Sequence, residues 1–197
     1  MSKSPFAALI AGSALLLAAA GPAAAWTDVP GLGQPYNVPP GATSTPDAPA
    51  VSVIPPQEVT YSGPYSPGTI YVSTTERRLY YVLPGHKAIK YAVGVGRPGF
   101  TWAGSHTIVN KRIWPDWTPP AQMLLRQKGL PKHMAGGPDN PLGARALYIG
   151  GTLYRIHGTS QPETIGQAMS SGCIRMMNQD VKDLYARVKV GSPVIVR

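Results

Sequence analysis

A lone cysteine, with a histidine sixteen residues before it, is the pair in this chain most able to do chemistry. The two sit in Arg155-Ile156-His157-Gly158-Thr159 and Ser170-Ser171-Gly172-Cys173-Ile174-Arg175, and Cys173 is the only cysteine among 197 residues. A free thiol titrates at roughly 8.5. A neighbouring imidazole lowers that value and serves as the base that takes and later returns the proton. The order, histidine before cysteine, is the reverse of that in papain-like peptidases. A lone cysteine is commonly a small buried hydrophobe, but in an exported chain an unpaired thiol is a liability unless it is protected or used.

The flanking residues suit use. Gly172 allows a sharp turn or a close ligand, and small Ser170 and Ser171 leave room above the sulfur. Backbone N–H groups at Gly172 and Cys173 could face a developing oxyanion. With glycine at 158, a backbone carbonyl is the expected third member beside His157. Arg175 shares the face of Cys173 if residues 173–177 are extended, and a guanidinium there can grip a carboxylate with two bonds. Tyr154, Ser171, Gly172 and Arg175 are the candidate substrate contacts. His86, His106 and His133 are expected to be exposed and inert. Neither HExxH nor histidines at metal-binding spacing occur, so no metal is expected.

Several elements must position this pair. Ile70–Val72 and Leu79–Leu83 are β-rich runs bounded by Pro84-Gly85, and Ile89, Tyr91, Val93 and Val95 alternate as on one strand face. Residues 107–114 form a weaker strand candidate. Residues 146–149 and 152–156 flank Gly150-Gly151, a two-residue hairpin signal that places His157 at a strand end. Ser160-Gln161-Pro162-Glu163 has capping-box spacing and predicts a short helix to about Met169. Asn178 can cap a second helix with the apolar stripe Val181, Leu184, Tyr185 and Val188, closed by Gly191. Residues 194–196 complete the set as a last strand. The stretch 115–145 is irregular, with a short helix at 123–128, and reads as an ordered lip on the substrate side.

Upstream the composition changes. Residues 1–25 read as a signal peptide, with Lys3, a 14-residue apolar run from Ala7 to Ala20, and cleavage after Ala25. Residues 26–67 hold ten prolines and read as a disordered linker. The chain carries +9 overall, but residues 68–197 alone hold 17 basic against 6 acidic side chains. Such a field favours anionic partners. Export argues against nucleic acid as the partner and leaves no stable membrane span once the signal is removed.

His157-Gly158-Thr159, Ile165-Gly166 and Ser170-Ser171-Gly172-Cys173-Ile174-Arg175-Met176 together resemble the signature of the L,D-transpeptidase (YkuD-type) catalytic domain. The similarity extends through residues 91–96, Trp114-Pro115, residues 140–147 and Val190-Gly191-Ser192-Pro193-Val194, and so covers about residues 68 to 197. It implies a mainly β fold, a β-sandwich or barrel with two short helices, in an enzyme of the periplasm or cell envelope. It implies Cys173 as nucleophile, His157 as base and Gly158 as the carbonyl orienter, with no cofactor. The implied partners are peptidoglycan stem peptides, with a neighbouring stem or a wall-attached protein as acceptor. Ser171 stands where many members carry histidine, and is not assigned a catalytic part. Two other readings remain: a carboxypeptidase or D-amino-acid exchange enzyme using the same thioester, and a non-catalytic wall-binding module with a structural cysteine.

Overall fold

A computed structural model of the chain describes residues 54–197. In chain order the elements are β1 (Gln57–Thr60), β2 (Ile70–Ser73), β3 (Arg78–Leu83), β4 (Lys87–Ala92), β5 (Val95–Gly96), β6 (Gly104–Ile113), α1 (Ala121–Arg126), β7 (Arg145–Ile149), β8 (Arg155–His157), β9 (Ala168–Ser170), β10 (Ile174–Arg175), α2 (Asn178–Arg187) and β11 (Pro193–Val196). A single 3₁₀ turn, Pro162–Thr164, lies between β8 and β9. Nine strands form one sheet in the order β1-β4-β3-β2-β11-β6-β7-β8-β10, and β5 pairs with β9.

The sheet curls until its last strand meets the chain that leaves β4. Gly94 and Arg175 exchange both backbone hydrogen bonds at 2.9 Å. A side chain at 94 would strike the Thr164 carbonyl, so only glycine permits that closure. The alternating residues of the strands line the interior. Ile70, Val72, Leu79, Tyr91, Val93, Ile108, Leu147, Ile156, Ile174, Val194 and Val196 are each 0–1% exposed. Val181 and Leu184 of α2, with Val188 just past its end, close this core. Lys111, whose backbone pairs with Leu147, sends its ammonium to the Tyr185 and Val188 carbonyls at 2.6 and 2.5 Å, where orphan acceptors at a helix C-terminus favour a cation.

Four expectations are corrected. Residues 57–60 lie inside the stretch read as linker, yet they form edge strand β1 against β4, with Glu58 on Lys87 at 2.7 Å. Tyr61 and Tyr65 then lie over Tyr80 and Tyr71, with ring centres 6.4 and 5.3 Å apart. Residues 1–53, with the expected signal and most of the linker, lie outside the described residues. The helix expected from Ser160 to Met169 is only the one 3₁₀ turn. Gly166 has φ +81°, and residues 168–170 pair with β5, a tertiary preference that overrides the local signal. The hairpin after β7 turns through residues 150–154. Thr152 Oγ1 donates to the Ile149 carbonyl and accepts the Tyr154 N–H, so β8 starts only at Arg155. Finally, Met177 occupies the N-cap position of α2 and makes no side-chain cap, while Asn178 is already the first helical residue.

Among the described residues no helix is long and apolar enough to cross a membrane.

Candidate active site

β8 and β10 are parallel neighbours with Ile156 opposite Ile174 and His157 opposite Arg175. The two isoleucines enter the core, at 0% and 1% exposed. Strict alternation therefore puts Arg155, His157 and Arg175 on the other face, with Cys173 one step before β10 beside Arg155. The rows continue across the sheet. Ala146 stands beside His157 and Arg112 beside Ala146, while Tyr148 stands beside Arg155. The Arg155 guanidinium lies 5.4 Å from the Tyr148 ring centre. This face therefore carries Arg155 and Arg175 beside the thiol and the imidazole, with exposed Arg112 farther along the same row.

His157 is 4% exposed, and its Nδ1 lies 2.5 Å from the Gly158 carbonyl oxygen. A carbonyl can only accept, so Nδ1 carries the proton and Nε2 holds the lone pair. Burial pushes the imidazole down to about 3. The Gly158 carbonyl opposes the shift, and the Arg175 and Arg155 charges add to it. Burial also pushes the Cys173 thiol up, against the Arg155 charge, the Arg155 backbone N–H and the Arg175 charge. Both groups thus respond to the same two arginines. The thiol pKa expected to fall beside histidine instead rises, because desolvation outweighs the guanidinium charges. Burial thus favours the uncharged form of both groups, the thiol and the imidazole.

The turn before the cysteine joins residues legible in the sequence, Ser170, Gly172 and Tyr154, to others with no local signal, Trp102 and Arg97. Ser170 Oγ donates to the Cys173 carbonyl at 2.6 Å and accepts the Gly172 N–H at 3.1 Å, closing a tight turn with Gly172 at φ +107°. The Gly172 N–H is thereby taken, so it is not the free oxyanion donor expected. Trp102 Nε1 donates to the Gly172 carbonyl at 2.7 Å. Tyr154 stacks on Trp102 with ring centres 4.8 Å apart, and its ring occupies the space a Cβ at 172 would need. Arg97 Nη1 donates to Ser171 Oγ at 3.2 Å, and the guanidiniums of Arg97 and Arg126 both lie over the Phe100 ring, 4.1 and 5.3 Å from its centre. This arrangement ties α1 to the cysteine side. Arg175 reaches Gln161 Oε1 at 3.5 Å. Period-two alternation from His157 could have flagged Arg155, whereas Trp102 and Arg97 carry no local signal. His86 and His133 are exposed, but His106 is half-buried, bonded to the Gly150 carbonyl at 3.0 Å and set edge-on to Trp102.

The model of the YkuD family, described as the L,D-transpeptidase catalytic domain, matches residues 67–196. The chain belongs to this family. A probable L,D-transpeptidase of Escherichia coli K12, YbiS, is 39% identical over 134 residues, covering 64% of this chain and 43% of YbiS. The chain thus spans less than half the length of that L,D-transpeptidase relative. A Brucella melitensis structure described as a probable carnitine operon oxidoreductase is 45% identical, covering 75% of this chain and 98% of that one, with a TM-score of 0.50. The NMR structure of the E. faecium L,D-transpeptidase catalytic domain shares the fold at 24% identity and a TM-score of 0.51, covering 66% of this chain and 95% of that one. The mainly β architecture expected from the L,D-transpeptidase signature is the one found.

Proposed function

We propose that this chain is an exported peptidoglycan L,D-transpeptidase that uses Cys173 as nucleophile and His157 as base. The observation that supports it most is the common face of β8 and β10, where Cys173, His157, Arg155 and Arg175 gather with the imidazole already in the Nδ1–H tautomer. In this reading His157 Nε2 takes the thiol proton as sulfur attacks the carbonyl preceding the terminal D-alanine of a stem tetrapeptide. The oxyanion faces the Cys173 N–H, since that of Gly172 is committed to Ser170. The tetrahedral adduct collapses as the C–N bond breaks, and the imidazolium gives its proton to the departing D-alanine amine. A thioester to Cys173 remains. His157 then deprotonates an acceptor amine, which attacks the thioester and returns the thiol.

Arg175 and Arg155 hold the substrate carboxylate and offset the charge on sulfur. Tyr154, Ser171 and Gly172 form the wall of the donor site. Gly158 supplies the carbonyl that orients the imidazole. The acceptor is a neighbouring stem or a wall-attached protein. The expected leader at residues 1–25 would deliver the enzyme to the periplasm, and residues 26–53 would tether the domain.

The test is product analysis by mass spectrometry of the protein from Trp26 with purified disaccharide tetrapeptide, beside Cys173→Ala. Dimers formed with loss of D-alanine, absent in the variant, are expected. D-alanine loss without dimers would replace this reading with hydrolysis or exchange. Wall binding without any Cys173-dependent product would replace it with a binding module.

A further inference from the structure

Asn178 has the sequence position of a helix cap, but its side chain points elsewhere. Its Oδ1 accepts the Ala144 N–H at 2.9 Å and the Thr159 N–H at 3.2 Å, and its Nδ2 donates to the Thr159 carbonyl at 2.9 Å. The Thr159 N–H and the Gly158 carbonyl are the two ends of one peptide unit. That unit is planar and trans, so its N–H and C=O point in opposite directions. Gripping one end therefore aims the other, and the Gly158 oxygen is the one that receives the His157 Nδ1–H. The surroundings are shaped for this amide. A Cβ at Gly143 or at Gly158 would collide with Asn178 Oδ1, and Gly143 also sits at φ +61°.

We propose that Asn178 is a positioning residue for the base: it sets the rotation of the 158–159 peptide plane and, through it, the tautomer and direction of the His157 ring. The proposal rests on His157 being the base of the proposed function. Asn178 itself touches neither substrate nor sulfur in this account. The run from Asn178 Oδ1 through H–N and C=O to H–Nδ1 is a hydrogen-bond chain in which each bond polarises the next. Releasing the plane frees the proton to sit on either ring nitrogen, and the Nε2 lone pair is then present only part of the time.

The test compares the full chain with Asn178→Ala, which removes all three bonds, and Asn178→Asp, which keeps the acceptor but turns an oxygen toward the Thr159 carbonyl. The ¹⁵N spectrum of His157, assigned by its loss in His157→Gln, should show two widely separated ring nitrogens in the wild type. They should draw together in Asn178→Ala and, less so, in Asn178→Asp. Displacing a catalytic group from outside the site can cost on the order of a hundredfold. We therefore expect kcat for D-alanine release to fall by about that factor in Asn178→Ala, and by about tenfold in Asn178→Asp, with KM nearly unchanged. A purely structural residue would lower the melting temperature and leave the His157 resonances and the folded enzyme's kcat where they were. Unmoved resonances in whichever variant folds would overturn the proposal. If the wild type releases no D-alanine, the functional reading falls, and the ring-nitrogen spectra still decide whether Asn178 positions His157.

Discussion

Replacing Asp180 with asparagine should stabilise the fold at alkaline pH and leave it almost unchanged in acid. Asp180 lies in the first turn of α2, 1% exposed, and neither carboxylate oxygen has a hydrogen-bond partner. Burial raises its pKa from 3.8 to about 7, with a further push from the nearby Asp183 carboxylate. Asp183 itself is gripped by Arg187 and receives the Tyr91 hydroxyl. A folded-state pKa above the unfolded one means that the native state holds the extra proton. This contribution is fully present below pH 3.8 and is lost as pH rises toward about 7. At about 1.36 kcal/mol per pH unit the full loss is a little over 4 kcal/mol, a ceiling that relaxation lowers to about 1–3 kcal/mol. His157 acts in the opposite sense, since its depressed pKa removes stability as pH falls from 6.5 toward about 3. It is common to both proteins and cancels in their difference. Urea unfolding of wild type and Asp180→Asn from pH 4 to pH 8 measures that difference. It should start near zero and grow in favour of the variant, with the steepest change between pH 4 and 7. A difference that stays flat across this range would refute the assignment of a buried, unpaired carboxylate.

Two further outcomes follow from the cysteine turn. Gly172→Ala places a Cβ against the Tyr154 ring at φ +107°, so the turn must open. D-alanine release should drop by at least tenfold while the melting temperature moves only slightly, and retention of wild-type kcat would contradict the role given to this turn. Because burial raises the thiol pKa, alkylation of Cys173 in the free enzyme should be slow at pH 7 and climb past pH 9. A rate already level by pH 6 would mean a preformed thiolate–imidazolium pair.

Much of this arrangement is written locally. The β-branched and aromatic runs at residues 70–72, 79–83 and 194–196 give β2, β3 and β11, because such side chains suit a half-buried pleated surface. His157 at a strand end is legible for the same reason. What escapes is decided by distant partners. Residues 168–170 are a strand only because β5 lies beside them, and residues 57–60 only because β4 offers a free edge. The Asn178 side chain forgoes the helix cap because the ends of β7 and β8 present it with a whole peptide unit and a further N–H. Trp102 and Arg97 reach the cysteine turn from about 70 residues away, which no window of sequence reveals. The direction of the thiol shift is not legible in the sequence, because residue types show charge pairing whereas burial depends on the finished fold.

The central claim is that Cys173 forms the thioester. Intact-protein mass spectrometry after rapid acid quench, with disaccharide tetrapeptide as substrate and no acceptor, tests it most directly. An adduct equal to the substrate minus D-alanine is expected on the peptide containing Cys173, and none in Cys173→Ala. Release of D-alanine with no such adduct, at an equal rate in Cys173→Ala, would contradict it.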